Sequence, residues 1–318
     1  MYPERVQDYA PKVLTQKQRH FYFENGYLLL DSIVPMETIE RLRAVTNSMV
    51  DRSRSITISD AIFDLEPGHT ADTPRLRRLS SPVAHDPLYW KFASDSLIAD
   101  IAADLVGPNV KFHHSKLNFK WSEGGEEVRW HQDIQSWAHT NYSPLTIGTY
   151  LYDIGPEQGP LGVVPRSHKG SLFSQYNDKD QWTGDITDRD LETVDLDTAD
   201  YLMGPAGSVT IHNCCTIHGS KPNQSDIGRP LLLNVYSAAD AFTYMPNPLT
   251  TEFAGSIVRG KAVREAFIDP RPCVMSPDWS KGYTSLFALQ QKEDWSEDQM
   301  DRVHQHYSGG AADQSRAT

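Results

Sequence analysis

The feature that most constrains the fold is a change in hydrophobic periodicity at about residue 110. From Val110 to about Ala241, apolar and polar residues alternate in short segments that are separated by Gly, Pro, Asn and Asp. A period of two is typical of strands with one buried face, and several short strands at this spacing indicate a sandwich or a barrel. The predicted strands cover residues 111–120, 128–133, 145–152, 208–212 and 231–237.

The first 110 residues show mainly helical patterns. Helices are predicted from Thr15 to Asn25-Gly26, after Pro35, and over residues 88–105, with a short strand at 27–30. The polar segment 53–80 is expected to be a long loop, either disordered or a lid over a site. Beyond about residue 244 we expect irregular structure, with helical segments near Val263 and at 296–303.

The length of 318 residues suits one domain. We therefore expect a single domain over residues 1–307, with its β core at about 110–241. Small polar residues predominate after about Ser308, so residues 308–318 are expected to form a flexible tail.

The charge of the chain bears on its partners. The formal net charge is -12 and the sequence pI is about 5.4. Such a surface repels phosphate backbones and anionic lipids, so a small-molecule substrate is expected rather than nucleic acid or a membrane. No apolar run reaches the roughly 18 residues of a membrane span, and the N-terminus lacks the apolar segment of a signal peptide. We expect a cytoplasmic protein, as a monomer or a homodimer.

Three side chains suggest a metal site. His131 and Asp133 lie two residues apart on a predicted strand, so both can reach one ion from the same face. An imidazole and a carboxylate with open positions suit non-haem Fe(II), and His218 offers a third ligand. Arg229 follows at the start of the next apolar strand, and its planar guanidinium suits a carboxylate.

Each of these pieces is ambiguous by itself. A His-X-Asp pair is often a hydrogen-bonded surface pair, His218 could belong to a turn, and Arg229 could be an ordinary charge at a strand end. The combination is more specific, because the candidate metal ligands and an arginine that suits a carboxylate follow one another along the chain at workable separations.

These residues carry a family resemblance. The chain resembles the phytanoyl-CoA dioxygenase family, a branch of the Fe(II)/2-oxoglutarate oxygenases that also includes ectoine hydroxylase. The resemblance covers roughly residues 14–240 and implies a double-stranded β-helix (jelly-roll) core with helices packed on one sheet. The matching pieces are Phe23-Glu24-Asn25-Gly26-Tyr27, His131-Gln132-Asp133, Gly159-Pro160-Leu161, Val164-Pro165-Arg166-Ser167-His168, His218-Gly219-Ser220, Pro222-Asn223 and Arg229.

The resemblance also implies roles for individual residues. The iron ligands would be His131, Asp133 and His218. The distal carboxylate of 2-oxoglutarate would bind Arg229 with help from Ser220, and Asn118 would make another contact to 2-oxoglutarate. The positions that match substrate-facing ones are His114, Lys116 and Trp137.

The activity implied is that of a dioxygenase with Fe(II), 2-oxoglutarate and O₂, which releases succinate and CO₂. Hydroxylation of an unactivated C–H bond is expected, because the carboxylate of Asp133 favours oxygenation over halogenation. His114, Lys116 and the arginines near Arg77 suggest a small anionic substrate such as an amino acid, carboxylate or phosphonate. The alternatives are a non-catalytic jelly-roll binding protein, and a jelly-roll enzyme that uses zinc or manganese for isomerase or hydrolase chemistry.

Overall fold

Two antiparallel β-sheets face each other, and helices cover the outer side of the larger one. The computed structural model describes residues 3–122, 125–247, 249–277 and 290. The helices are α1 (Pro3–Val6), α2 (Gln16–Asn25), α3 (Met36–Ser53), α4 (Pro87–Asp95), α5 (Leu97–Val106) and α6 (Asp188–Leu191). The strands are β1 (Tyr27–Leu30), β2 (Phe63–Leu65), β3 (Leu76–Ser80), β4 (Val110–Asn118), β5 (Val128–His131), β6 (Leu145–Tyr150), β7 (Leu161–Val163), β8 (Asp200–Leu202), β9 (Val209–Asn213), β10 (His218–Ser220), β11 (Leu231–Ala238) and β12 (Ile257–Arg259).

The larger sheet has the strand order β1-β9-β6-β11-β4-β3-β2, with β12 paired to one end of β4. The smaller sheet has the order β5-β10-β7-β8. This mainly β architecture, with helices on one sheet, confirms the predicted fold class. Strands β1, β2, β3 and β12 extend the larger sheet beyond the expected core of residues 110–241.

Side-chain alternation along β4 separates the core from the site. Leu117 is fully buried on the helix side, in a core that includes Ile39 of α3 and Ile101 of α5. Lys116 and Asn118 project from the other face, toward the smaller sheet, where they line a cavity. Since neighbouring residues of a strand point to opposite faces, one strand serves both the apolar core and the polar site.

Helix α2 begins and ends where the sequence predicts. The Thr15 side chain accepts from the backbone N–H of Gln18, whose side chain accepts in turn from the N–H of Thr15, which completes a capping box. The helix ends at Gly26, whose φ of 85° lies in the left-handed region that favours glycine.

The single helix predicted over residues 88–105 is wrong, because the structure has two helices, α4 and α5, that meet at Ser96. Ser96 has an extended backbone (φ −122°, ψ 178°), and its hydroxyl accepts from the N–H of Ile98. A serine that caps a new helix interrupts the old one, although the apolar pattern runs through both.

The expected loop at 53–80 is also wrong in part, because β2 and β3 lie within it and β3 pairs with β4. Every residue of β3 is buried, including Arg77, which forms an ion pair of 2.7 Å with Glu126. The sequence of this segment is polar, which favours a loop. The structure can nevertheless bury Arg77, because Glu126, which lies far away along the chain, neutralises its charge.

The region near Val263 contains no helix in the structure, whereas β12 was not expected. The predicted helix at 296–303 and the predicted tail at 308–318 lie outside the described residues. Within the described ranges, none of the helices has the length and apolar character that a membrane span requires.

Candidate metal centre

Three buried side chains converge between the two sheets. The ligand atoms of His131, Asp133 and His218 all lie within 4.8 Å of one another. Nε2 of each histidine is 3.8 Å from Oδ1 of Asp133, and the two ring centroids are 4.1 Å apart. These separations leave room for one ion among three donors. The predicted ligand group is therefore brought together, from parts of the chain 85 residues apart.

Strand pairing places the two imidazoles side by side. His218 of β10 is the direct antiparallel partner of His131 at the end of β5. Gln132 keeps an extended backbone (φ −122°, ψ 127°), and Asp133 then begins a short 3-10 turn. The strand therefore ends two residues earlier than expected. Because Gln132 is still extended, His131 and Asp133 nevertheless share one face, as the His-X-Asp spacing predicts.

Backbone carbonyls orient both histidines. Nδ1 of His131 lies 2.7 Å from the carbonyl of Arg129, and Nδ1 of His218 lies 2.9 Å from the carbonyl of Thr216. A carbonyl can only accept, so each Nδ1 carries the proton and each Nε2 lone pair faces the shared point. Hydrogen bonding of the second ring nitrogen is the usual way in which proteins fix a metal-binding imidazole.

The carboxylate of Asp133 is held through its other oxygen. The hydroxyl of Thr146 on β6 donates to Oδ2 at 3.0 Å, and Nε2 of His212 on β9 lies 3.4 Å from the same oxygen. Oδ1 is consequently left to face the two imidazoles. Thr146 carries no signal in the sequence, because no local motif marks a threonine on another strand as a partner of Asp133.

The charges of the three residues suit metal binding. Burial lowers the pKa of His131 and holds that of His218 well below its usual value. Burial by itself raises the pKa of Asp133, but Lys116, His218 and His212 together keep it well below its ordinary range. Two neutral imidazoles and one ionised carboxylate are the protonation states in which these groups bind a metal ion.

A cavity of about 60 Å³ opens beside this group. It contains the three residues that the sequence assigns to 2-oxoglutarate, namely Arg229, Ser220 and Asn118, and also Lys116. Arg229 is buried, and its Nε and Nη1 have no hydrogen-bond partner within the described residues. Burial lowers the pKa of Arg229 to about 10, so the guanidinium remains charged at neutral pH.

Two of the predicted substrate residues lie elsewhere. His114 and Trp137 are buried but are not among the cavity-lining residues. Their rings pack together (centroids 6.0 Å apart) with those of His113 and His139, and Nδ1 of His113 lies 2.6 Å from Nδ1 of His114. Among the three, Lys116 alone is placed at the cavity.

Comparison with known families agrees with this geometry. The family model of phytanoyl-CoA dioxygenase (PhyH) matches residues 22–231, which is most of the described chain and includes every proposed iron and 2-oxoglutarate residue. The chain belongs to the phytanoyl-CoA dioxygenase family. The resemblance and the enzyme class predicted from the sequence are thereby confirmed.

Curated relatives of this phytanoyl-CoA dioxygenase family member are named as dioxygenases. A "probable alpha-ketoglutarate-dependent hypophosphite dioxygenase" of Stutzerimonas stutzeri is 28% identical over 248 residues, covering 77% of this chain and 86% of the relative. An ectoine dioxygenase of Stutzerimonas stutzeri (strain A1501) is 27% identical over 236 residues, covering 70% of this chain and 76% of the relative.

Several solved structures share the fold. EctD from S. alaskensis, crystallised with 2-oxoglutarate and 5-hydroxyectoine, superimposes with a TM-score of 0.61 at 22% identity, covering 82% of this chain and 89% of EctD. The carbocyclase SnoK from nogalamycin biosynthesis gives a TM-score of 0.60 at 21% identity, covering 74% of this chain and 89% of SnoK. The predicted jelly-roll architecture is confirmed.

Proposed function

We propose that this chain is an Fe(II)- and 2-oxoglutarate-dependent dioxygenase that hydroxylates an unactivated C–H bond of a small molecule. One observation carries the proposal: the group of His131, Asp133 and His218 opens into a cavity lined by Arg229, whose buried guanidinium has no partner at Nε and Nη1 among the described residues. Membership of a dioxygenase family and the names of the two curated relatives support the same reading.

The donor set suits iron. Two imidazoles and one carboxylate on one side of an ion leave the opposite positions open, which is the arrangement of non-haem Fe(II) oxygenases. The open side is the cavity that Lys116, Asn118 and Arg229 line. A structural zinc site would instead be closed by a fourth protein ligand.

Arg229 is the proposed anchor for the distal carboxylate of 2-oxoglutarate. A buried guanidinium without a partner costs free energy, and a carboxylate that accepts two parallel hydrogen bonds from its fork offsets that cost. Ser220 lies on the strand that also carries His218, and Asn118 lies on the facing strand β4. Both line the cavity, and Oδ1 of Asn118 is buried without a hydrogen-bond partner among the described residues.

When bound, Fe(II) and 2-oxoglutarate would supply oxidative decarboxylation, in which one oxygen atom of O₂ enters succinate, the other is inserted into the substrate C–H bond as hydroxyl, and CO₂ leaves. The chain supplies placement. Thr146 and two backbone carbonyls fix the ligand side chains, and all three ligand side chains are buried. Both effects favour a reaction that requires the target carbon at a fixed position.

The test uses the whole chain, purified without oxygen. Addition of Fe(II) and 2-oxoglutarate together is expected to produce a weak visible charge-transfer band, which neither produces alone. Oxygen is then expected to yield succinate when a pool of small metabolites is present. Asp133→Ala should abolish the band and succinate formation, whereas Asp51→Ala, at an exposed aspartate of α3, should retain both.

The alternatives give different results in the same experiment. A non-catalytic binding protein forms no succinate, and an isomerase or hydrolase that uses zinc or manganese needs no 2-oxoglutarate. Absence of the band in correctly folded wild-type protein would reject the proposal. The cytoplasmic location, and the monomer or homodimer, remain predictions.

A further inference from the structure

Three fully buried glutamines lie beside the metal group but outside the cavity. Gln132 separates the ligands His131 and Asp133, Gln135 ends the short 3-10 turn, and Gln175 belongs to a later segment of the chain. Each of the three glutamines has 0% exposure, and none of them lines the cavity. A buried amide costs free energy unless its groups are hydrogen-bonded, so three of them at one place call for an explanation.

Two of these glutamines hold the segment 171–175, which belongs to neither sheet. The N–H of Phe173 donates to Oε1 of Gln132 at 3.0 Å. The side chain of Gln135 donates to the carbonyl of Phe173, and its Oε1 accepts from the N–H of Gln175 at 3.1 Å. Side-chain amides therefore take the place of a strand ladder and dock this segment on the turn that carries Asp133.

Gln132 also connects the two parts of the metal group. Its Nε2 donates to the carbonyl of Cys215 at 2.7 Å, three residues before His218, and to the carbonyl of Ser171 at 3.1 Å. One amide thus bonds both to the stretch that leads to His218 and to the docked segment. A displacement of this amide would change the position of one ligand relative to the other.

Gln175 bonds to the same turn from the docked segment. Its Nε2 donates to the backbone carbonyl of Gln132 at 2.6 Å. This carbonyl belongs to the peptide that joins Gln132 to Asp133, so the bond acts on the backbone from which the carboxylate projects. Oε1 of Gln175 is buried and has no hydrogen-bond partner among the described residues. A buried oxygen without a partner is unfavourable for folding, so stability alone does not account for an amide at this position.

We infer that Gln175 is a positioning residue for the metal group: its amide fixes the peptide before Asp133 and so keeps the carboxylate facing His131 and His218. Gln175 acts through the backbone of Gln132 and does not reach the ion. The inference rests on the proposed function in requiring that the group binds a metal, and it adds a residue from outside the His131-Gln132-Asp133 motif. Loss of a partner that orients metal ligands lowers metal affinity by about 10- to 100-fold, and about tenfold is expected for a bond to the backbone.

The inference is tested by anaerobic calorimetric titration of the full chain with Fe(II) and, separately, with Zn(II). Gln175→Met keeps the length of the side chain and removes the donor. It should lower the affinity for both ions about tenfold. A purely structural role would lower the free energy of unfolding but leave the metal affinity of the folded protein unchanged.

Gln158→Met is the matched control, because it makes the same substitution at a buried glutamine in another turn. Oε1 of Gln158 accepts from the N–H of Gly155 at 2.7 Å. This variant should lower the free energy of unfolding and change the metal affinity less than twofold. A loss of metal affinity below threefold in Gln175→Met, or an equal loss in Gln158→Met, would overturn the inference.

A second variant is used if circular dichroism shows that Gln175→Met does not fold. Gln175→Asn keeps an amide, but its side chain is one methylene shorter and no longer reaches the carbonyl of Gln132. The same loss of about tenfold in metal affinity is expected. Metal affinity equal to that of wild type would reject the role given to Gln175.

Wild-type protein gives a further check, because coupling between two sites is reciprocal. If the docked segment strengthens metal binding, the bound ion must stabilise the docking by the same factor. Saturation with Zn(II) should therefore slow hydrogen exchange of the Phe173 and Gln175 amides about tenfold more than that of the Gly107 amide, which bonds to Ala103 at the end of α5. Equal slowing of all three amides would contradict the inference.

The charge-transfer band separates this inference from the proposed function. Absence of the band in wild type that binds Fe(II) rejects the oxygenase, and the metal affinities still decide the role of Gln175. A normal band in wild type, with equal metal affinity in wild type and Gln175→Met, rejects the positioning role and leaves the oxygenase intact. Wild-type protein that binds neither ion rejects both.

Discussion

The hydroxyl of Thr146 donates a hydrogen bond of 3.0 Å to Oδ2 of Asp133, the carboxylate oxygen opposite the one that faces His131 and His218. The bond joins β6 of the larger sheet to the turn that follows β5 of the smaller sheet. It fixes the rotation of the carboxylate, so that Oδ1 points at the space between the two imidazoles.

Thr146→Val is therefore expected to weaken Fe(II) binding while the fold is retained. Valine has nearly the shape of threonine but cannot donate. Loss of a partner that orients a metal ligand commonly lowers affinity by about 10- to 100-fold. Anaerobic Fe(II) titration measures the change. Thr149→Val on the same strand is the control, because its buried hydroxyl has no hydrogen-bond partner among the described residues. Equal Fe(II) affinity of the two variants would contradict the role given to Thr146.

Arg229 is predicted to limit stability in order to bind 2-oxoglutarate. Arg229→Gln removes a buried charge whose Nε and Nη1 have no hydrogen-bond partner in the described part of the chain, so the free energy of unfolding of the ligand-free protein should be unchanged or higher. The dissociation constant of 2-oxoglutarate, measured through the charge-transfer band, should rise by about 100-fold or more. Arg229→Lys should show an intermediate loss, because an ammonium keeps the charge but lacks the planar fork.

Arg19 provides the opposite case for the same substitution. It is equally buried, but its guanidinium donates to the backbone carbonyls of Asp104, Tyr9 and Val6. Arg19→Gln should therefore lower the free energy of unfolding and leave the affinity for 2-oxoglutarate unchanged. If both variants were destabilised alike, Arg229 would have a structural role instead.

The sequence predicts best what local chemistry determines. The five longer strands of the core and the group of His131, Asp133 and His218 were found because alternation and ligand type are visible in a short stretch of sequence. Strands β7, β8 and β10 have three residues each, which is too short for a period of two to be recognised. Other elements depend on partners that are distant in the sequence. Strand β3, for example, buries Arg77 because Glu126 forms an ion pair with it. Thr146 cannot be predicted for the same reason, since its role depends on Asp133, which lies in the turn that follows β5 of the other sheet.

Gly26 is predicted to tolerate no side chain. Its φ is 85°, and its carbonyl accepts from the hydroxyl of Thr216 (2.8 Å), two residues before His218. A Cβ at Gly26 would lie 2.7 Å from Oγ1 of Thr216 and even closer to the ring of His168. Gly26→Ala combines backbone strain with this overlap, so it should lower the free energy of unfolding by about 2–4 kcal/mol in urea denaturation.

Gly255→Ala separates these two causes. Gly255 has nearly the same φ, 81°, but a Cβ there meets nothing within 4 Å. Only the backbone strain remains, for which about 1 kcal/mol is expected. A loss as large for Gly255→Ala as for Gly26→Ala would show that the contacts with Thr216 and His168 contribute little.

His139 is predicted to make the metal-free protein sensitive to acid. Burial lowers its pKa to about 4, whereas the unfolded chain has the ordinary value of about 6.5. Above pH 6.5 the ring is neutral in both states and has no effect on the pH dependence. Between pH 6.5 and 4 the unfolded chain binds a proton that the folded protein does not, so the free energy of unfolding falls by up to about 1.4 kcal/mol per pH unit for this one group.

His139→Asn keeps a donor for the carbonyl of Trp137, which Nδ1 of His139 contacts at 2.6 Å, but cannot titrate. Urea denaturation in the presence of a chelator should show a shallower decline for His139→Asn than for wild type. Identical slopes for His139→Asn and wild type between pH 6.5 and 4 would mean that His139 does not remain neutral in the folded protein.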